Sequence, residues 1–176
     1  MTVYDEFAYL YEEPTTMDQE QFTPPPYAML PDDDGVITVT RRQLQRLGAC
    51  KSNRERFTAA FGPNARVAVS HENAVKAVMA ALDIHWLSSY LLWQPEATRA
   101  YALADDRLCA ERQRLNDICT NLWHANDLST DDCEAAYDAN RDAYLTALAH
   151  TLVDLTYTQY VPAAVQELEA NDASEI

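Results

Sequence analysis

Apolar positions along this chain fall into short clusters in its first half and long periodic runs in its second. Val3, Tyr4, Phe7, Tyr9, Leu10 and Tyr11 open it, a run too short to separate a strand from one helix face. A polar stretch leads to Pro24-Pro25-Pro26 and then Pro31-Asp32-Asp33-Asp34-Gly35. Consecutive prolines hold the backbone extended without internal hydrogen bonds, so residues 12–35 read as a linker or surface-hugging arm. Four short helices are expected next. Thr40 caps Arg41 to Leu47, which stops at Gly48. Ser52 caps a second helix carrying Phe57, Ala60 and Phe61, which ends at Gly62-Pro63. After an extended Arg66 to Val69, Ser70 caps a third with Ala74, Val75, Val78, Met79 and Leu82 on one face. Ile84 to Trp93 forms the fourth, rich in aromatics and closed by Pro95.

The second half changes rhythm. From Glu96 to Asn126 there is no Gly or Pro, and Ala104, Leu108, Glu111, Leu115, Ile118 and Leu122 alternate in steps of four and three. A break over Asn126 to Thr130 precedes a segment from Asp131 to Tyr160, with Leu145, Leu148, Leu152 and Leu155 in phase. Pro162 should end or kink it, and Val165 and Leu168 extend it by a turn or two. Two long helices joined by a short turn pack antiparallel. The expected fold class is therefore all-α: an extended Pro-rich N-terminal arm (1–35), a small four-helix module (36–95) and a long antiparallel helical hairpin (96–176), with 36–176 as one compact unit.

Charge changes this picture most. The 176 residues carry 13 Lys and Arg against 28 Asp and Glu, a formal charge of −15. Residues 1–34 carry −9, residues 35–100 carry +5 and residues 101–176 carry −11. An acidic arm and an acidic hairpin thus flank a basic module. The total argues against direct nucleic-acid binding by the chain, which needs Lys and Arg against phosphate, and against docking on anionic membranes. The apolar fraction of 48% supports a folded core. Only Gly35, Gly48 and Gly62 are present, too scattered for a phosphate-cradling loop. No apolar run reaches transmembrane length, and the acidic start lacks the basic and apolar regions of a secretion signal, so the expected location is the cytoplasm. Cys50, Cys109, Cys119 and Cys133 form no close pair and read as reduced, mostly buried thiols.

Within the basic module, the residues Ile37 to Cys50 (Leu-x-x-Leu-Gly-Ala-Cys at its end), Phe57 with Phe61-Gly62, and Asp83 to Trp86 (Asp-x-x-Trp) form a recognisable set. It resembles a small helical module of uncharacterised bacteriophage and prophage proteins, over residues 37–86. The resemblance implies a phage or mobile-element context and places Cys50 among packed positions. It implies no reaction.

Several groups are candidates for chemistry. Asp127, Asp131, Glu134, Asp138 and Asp142 form an acidic stripe; the last three recur every four residues and so share one helix face. At 1.5 Å per residue they lie about 6 Å apart, near the spacing of phosphates along a strand. Like charges at this spacing disfavour the helix slightly, so the stripe does not serve helix stability; an ordinary solvated face is the alternative. Arg41, Arg42, Arg46, Lys51, Arg54 and Arg56 form a basic cluster opposed only by Glu55, which would meet nucleic acid, an acidic partner or, the favoured reading, the chain's own acidic arm or helices. Cys109, Cys119, His124 and Cys133 are separated by ten, five and nine residues, unlike the close ligand pairs of zinc sites, so no metal site is expected. Asp105-Asp106, Asp131-Asp132 and Asp32 to Asp34 would suit a divalent cation, but Asp131 and Asp132 equally complement a helix start. Cys50 near a helix start would have a lowered thiol pKa. His71, His85, His124 and His150 share no spacing, and His150 between core leucines reads as a hydrogen-bonded core residue.

The expected protein is thus not an enzyme and needs no cofactor. It is a phage or mobile-element accessory protein that binds and inhibits a host nucleic-acid-handling defence protein, of the anti-CRISPR or anti-restriction kind, by nucleic-acid mimicry. The host partner would present a basic groove, as a nuclease does, and exposed tyrosines such as Tyr137 or Tyr144 would anchor the contact. A homodimer is compatible with this. The alternatives are an oligomeric helical scaffold and, third, a small metal-dependent enzyme.

Overall fold

A computed structural model describes residues 24–32 and 36–159. The expectations for the chain start, for Asp33 to Gly35 and for Pro162, Val165 and Leu168 lie outside these residues. The fold is mostly helical, with six helices and one two-stranded sheet among the described residues.

The sheet corrects the all-α expectation. β1 (Thr38–Thr40) pairs antiparallel with β2 (Arg66–Ala68), Val39 facing Val67. Val69 N–H donates to the Ile37 carbonyl (2.8 Å), and Pro31 bridges to Ile37, which extends the paired region. Thr and Val favour a pleated, half-buried surface, but here the partner strand lies 28 residues away, so no local pattern announces the pairing.

Helix ends follow capping chemistry closely. Thr40 begins α1 (Arg41–Arg46) with a full capping box, its hydroxyl accepting from Gln43 N–H while the Gln43 side chain accepts from Thr40 N–H. Gly48 takes the left-handed φ of 80° that lets the chain reverse. The second helix starts earlier than Ser52: α2 (Lys51–Phe61) has Cys50 as its N-cap, because the Ala49 N–H folds back to the Leu44 carbonyl and leaves Cys50 extended. Gly62 ends it as expected. Ser70 caps α3 (His71–Met79) and Asp83 caps α4 (Ile84–Leu91). On α3 the buried residue is Ala77, while Met79 is 83% exposed, so Met79 leaves the expected apolar face. Pro95 opens α5 (Pro95–His124) rather than merely ending α4, since proline at the first helical position loses no internal hydrogen bond. Ser129 caps α6 (Thr130–Thr158), placing Asp131 and Asp132 in its first turn.

One core joins all of this. Met29, Ile37, Val39, Leu44, Phe57, Ile84, Leu91 and Leu92 bury together with Tyr144, Leu148, Leu152 and Val153 of α6. Met29 is buried and its N–H donates to the Tyr90 carbonyl, so the end of the proline-rich arm belongs to this core. Gln159, at the end of α6, donates to the Leu91 carbonyl (2.5 Å) and accepts from Trp93 N–H and Gln94 Nε2, closing the junction of α4 and α5. A partly open apolar cavity of about 80 Å³ lies between this module and α6, lined by Val39, Leu44, Phe57, Ala77, Ala149 and Leu152 among others.

α5 and α6 run antiparallel, as the pairs Asn116–Asn140 (2.9 Å), Thr120–Tyr137 (2.5 Å) and Trp123–Thr130 (3.3 Å) require. Their seam differs from the expected apolar one. Beyond Ala102 the less exposed positions of α5 are Ala104, Asp105, Leu108, Arg112, Leu115, Asn116, Cys119 and Thr120, whereas Glu111, Ile118 and Leu122 are exposed. The amide and hydroxyl pairs of Asn116 and Thr120 occupy the seam, while Ile118 and Leu122 are exposed. Between Ala102 and Ala143, Cys133 alone is buried.

Candidate functional site

The acidic stripe sits on α6 and the turn before it. Asp127, Asp131, Glu134, Asp138 and Asp142 are all exposed. At seven-residue steps Asp138 lies in line with Leu145 and Leu152, and Asp142 with Ala149 and Thr156. The face of α6 that packs into the core in its C-terminal half therefore carries the acids in its N-terminal half, where the helix has left the core. Asn140 and Tyr137 point toward α5, so the stripe lies away from that helix. It is not uniform. Arg141 stands within it, pairing with Asp138 (3.0 Å) and Asp142 (3.1 Å), a cation at helical spacing from both acids. Asp127, Asp131 and Glu134 make no ion pair among the described residues.

The basic cluster divides into two sets. Arg54 donates to the Ala49 carbonyl (2.5 Å) and Arg56 to that of Ala81 (2.8 Å), a residue held at a left-handed φ of 52°. Lys51 pairs with Glu55 at 3.7 Å. Arg54 and Arg56 brace the turns of their own module, and Lys51 pairs within α2. Arg41, Arg42 and Arg46 are exposed and form no ion pair with the acidic hairpin among the described residues. The expected docking of the cluster on the acidic helices is thus not seen there.

The tyrosine anchors are corrected. Tyr144 is buried and Tyr137 is half-buried with its hydroxyl on Thr120, so neither is offered to a partner. Tyr144 instead centres a polar knot linking three helices. Its hydroxyl donates to Asp105 Oδ1 (2.5 Å) and meets His85 Nε2 (3.2 Å), His85 Nδ1 lies 3.7 Å from Asp105, and the Arg112 guanidinium covers the ring at 4.6 Å. Burial, reinforced by the hydrogen bond to Asp105, pushes the Tyr144 pKa up. Nearby, burial pushes the Tyr101 pKa up to about 12, opposed by a hydrogen bond with Ser88. A neutral tyrosine bonded to a carboxylate and an imidazole fixes α4 against α5 and α6. Sequence reasoning missed this knot because its members are 39 and 59 residues apart.

A second polar contact joins α3 to α6. His71 Nε2 lies 2.6 Å from Asp154 Oδ1, and the His71 and His150 rings stack at 4.8 Å. His150 Nε2 is buried with no hydrogen-bond partner, against the expectation of a hydrogen-bonded core histidine. Cysteine placement also differs from the expectation. Cys133 is buried, Cys119 is half-buried, and Cys50 and Cys109 are exposed. Cys50, at the start of α2, lies outside the packing its module resemblance implies. Its pKa is lowered by the hydrogen bond to Ser52 and by the Asn53 backbone N–H, as its helix-start position predicted. Among the described residues no three His, Cys, Asp or Glu side chains converge to hold a metal ion, and no helix is long and apolar enough to cross a membrane.

The tip of the hairpin carries what the sequence reading overlooked. Trp123 is 41% exposed and Leu122 42%, beside an open hollow formed by Trp123, Asn126, Asp127, Leu128, Ser129 and Thr130. Compared with known proteins, the chain matches no family model, no curated protein and no solved structure.

Proposed function

We propose that this is a binding protein, without catalytic activity, whose acidic hairpin enters a basic groove on a nucleic-acid-handling partner. The observation that carries this reading is the stripe: exposed carboxylates of Asp131, Glu134, Asp138 and Asp142 on the α6 face that continues its core-packing face beyond the core, with Asp127 exposed in the turn before it. In this reading the basic module is the base and the hairpin is the working part. Exposed like charges one turn apart do not stabilise a helix, and their complementarity to Arg and Lys speeds association and sets specificity. The resemblance of residues 37–86 to a phage module makes a host restriction or CRISPR nuclease the partner of choice, with the protein acting as an inhibitor in the host cytoplasm. The test is competition. The protein should displace duplex DNA from such a nuclease, less effectively as salt rises, and Glu134→Lys with Asp138→Lys should abolish displacement. Undiminished displacement by that variant would sink the reading.

A second reading, an oligomeric scaffold, is favoured by Ile118 and Leu122, each 42% exposed on the outer side of the hairpin. It requires a defined oligomer of the purified chain in sedimentation, reduced to monomer by Ile118→Ser.

A further inference from the structure

The hairpin ends in a small aromatic surface rather than a bare polar turn. α5 stops through a left-handed residue, Asn126 (φ 60°), whose N–H returns to the Trp123 carbonyl (3.0 Å) while Asp127 N–H returns to that of Leu122 (3.0 Å). The Trp123 indole N–H donates to Thr130 Oγ (3.3 Å), tying the ring to the first residue of α6. On one side His124 packs at 4.8 Å. The rest of the indole borders an open hollow of about 390 Å³ whose rim includes Asp127 and Leu128. An indole held in place by its own hydrogen bond and left 41% exposed is an anchor prepared in advance.

Charge decides what would cover it. From Asn121 to Glu134 there is no Lys or Arg, and Asp127, Asp131, Asp132 and Glu134 surround the turn. Asp132 is engaged by the Ser129 hydroxyl (2.6 Å) and, with Asp131, offsets the positive start of α6. Asp127 belongs to neither arrangement and lies on the hollow itself. A second copy of this tip would bring like charges together. A basic protein surface would not. Of the two basic side chains, arginine fits better, because its planar guanidinium stacks on an aromatic face while giving two parallel N–H groups to a carboxylate.

We infer that the hairpin tip is the docking point for a basic protein surface, with an arginine side chain of the partner lying on the Trp123 indole and its charge on Asp127. This rests on the acidic-hairpin reading and adds the residue of contact and the chemistry of its target.

The test uses the full chain and a short capped peptide, acetyl-Gly-Arg-Gly-amide, with the citrulline peptide as its neutral twin. The indole N–H signal of Trp123, assigned by its loss in Trp123→Phe, should shift and saturate at millimolar arginine peptide and stay still with citrulline. Asp127→Asn should weaken the arginine peptide about three- to fivefold, the size expected of one exposed charge contact. A Trp123 signal that ignores the arginine peptide, that follows citrulline equally, or that responds unchanged in Asp127→Asn overturns the inference. Failure here with DNA displacement still lost on charge reversal removes the tip and leaves the stripe. Tip binding with displacement insensitive to charge reversal does the opposite.

Discussion

The two halves of α6 belong to one helix and share one face, yet they live in different surroundings. From Tyr144 onward, Leu148, Ala149, Leu152, Val153 and Thr156 are buried, Leu148 and Thr156 completely. Before Tyr144, Cys133 is the buried residue, and the face bears Asp131, Glu134, Asp138 and Asp142. The C-terminal half is held by packing, and the N-terminal half by being its continuation plus a polar seam with α5. A helix is cooperative once nucleated, so the buried half supports the exposed half at little further cost. That frees the projecting half to carry charge that an isolated helix would not tolerate well.

Mutations should separate the halves sharply. Leu148→Ala removes a fully buried side chain and should cost about 2–5 kcal/mol in urea unfolding, whereas Ile118→Ala, on the exposed seam edge, should cost under about 1 kcal/mol. Equal losses would mean that the hairpin contributes to the core far more than its exposure implies.

The boundary between the halves titrates. Tyr101 has a pKa raised to about 12 against an ordinary value near 10, because burial disfavours its phenolate. The folded state then holds its proton more tightly than the unfolded state. This contribution is fully present below pH 10 and is lost as pH rises from about 10 to 12. Tyr101→Phe should flatten that alkaline decline. Unchanged alkaline melting in the variant would place the sensitivity elsewhere.

The smallest expected effect lies on the exposed half. Arg141→Ala deletes two surface ion pairs and should change stability by less than about 0.5 kcal/mol. It also uncovers Asp138 and Asp142, so it should strengthen DNA displacement from a basic partner while Leu148→Ala at permissive temperature leaves it alone.

Local chemistry made much of this readable beforehand. Thr40, Ser70, Gly48 and Gly62 mark helix ends through their own hydrogen bonds or φ, and they sit where the sequence placed them. The stripe was legible because four-residue spacing depends only on helix geometry. What failed was non-local. β1 needs β2 to exist, and Tyr144 needs Asp105 and His85 to be satisfied. Asn116 and Thr120 occupy the seam by pairing with Asn140 and Tyr137 across it, which no pattern within α5 encodes. Arg141 was readable, three residues after Asp138, and its effect on the stripe follows from the same spacing that revealed it.

The partly open apolar cavity beneath α6 leaves imperfectly filled space against its packed half alone. Unfolding removes such imperfectly filled space, so the volume of the system falls by an amount that scales with it. Hydrostatic compression acts on that term. Squeezed at constant temperature, the protein should loosen first around Ala77, Ala149 and Leu152.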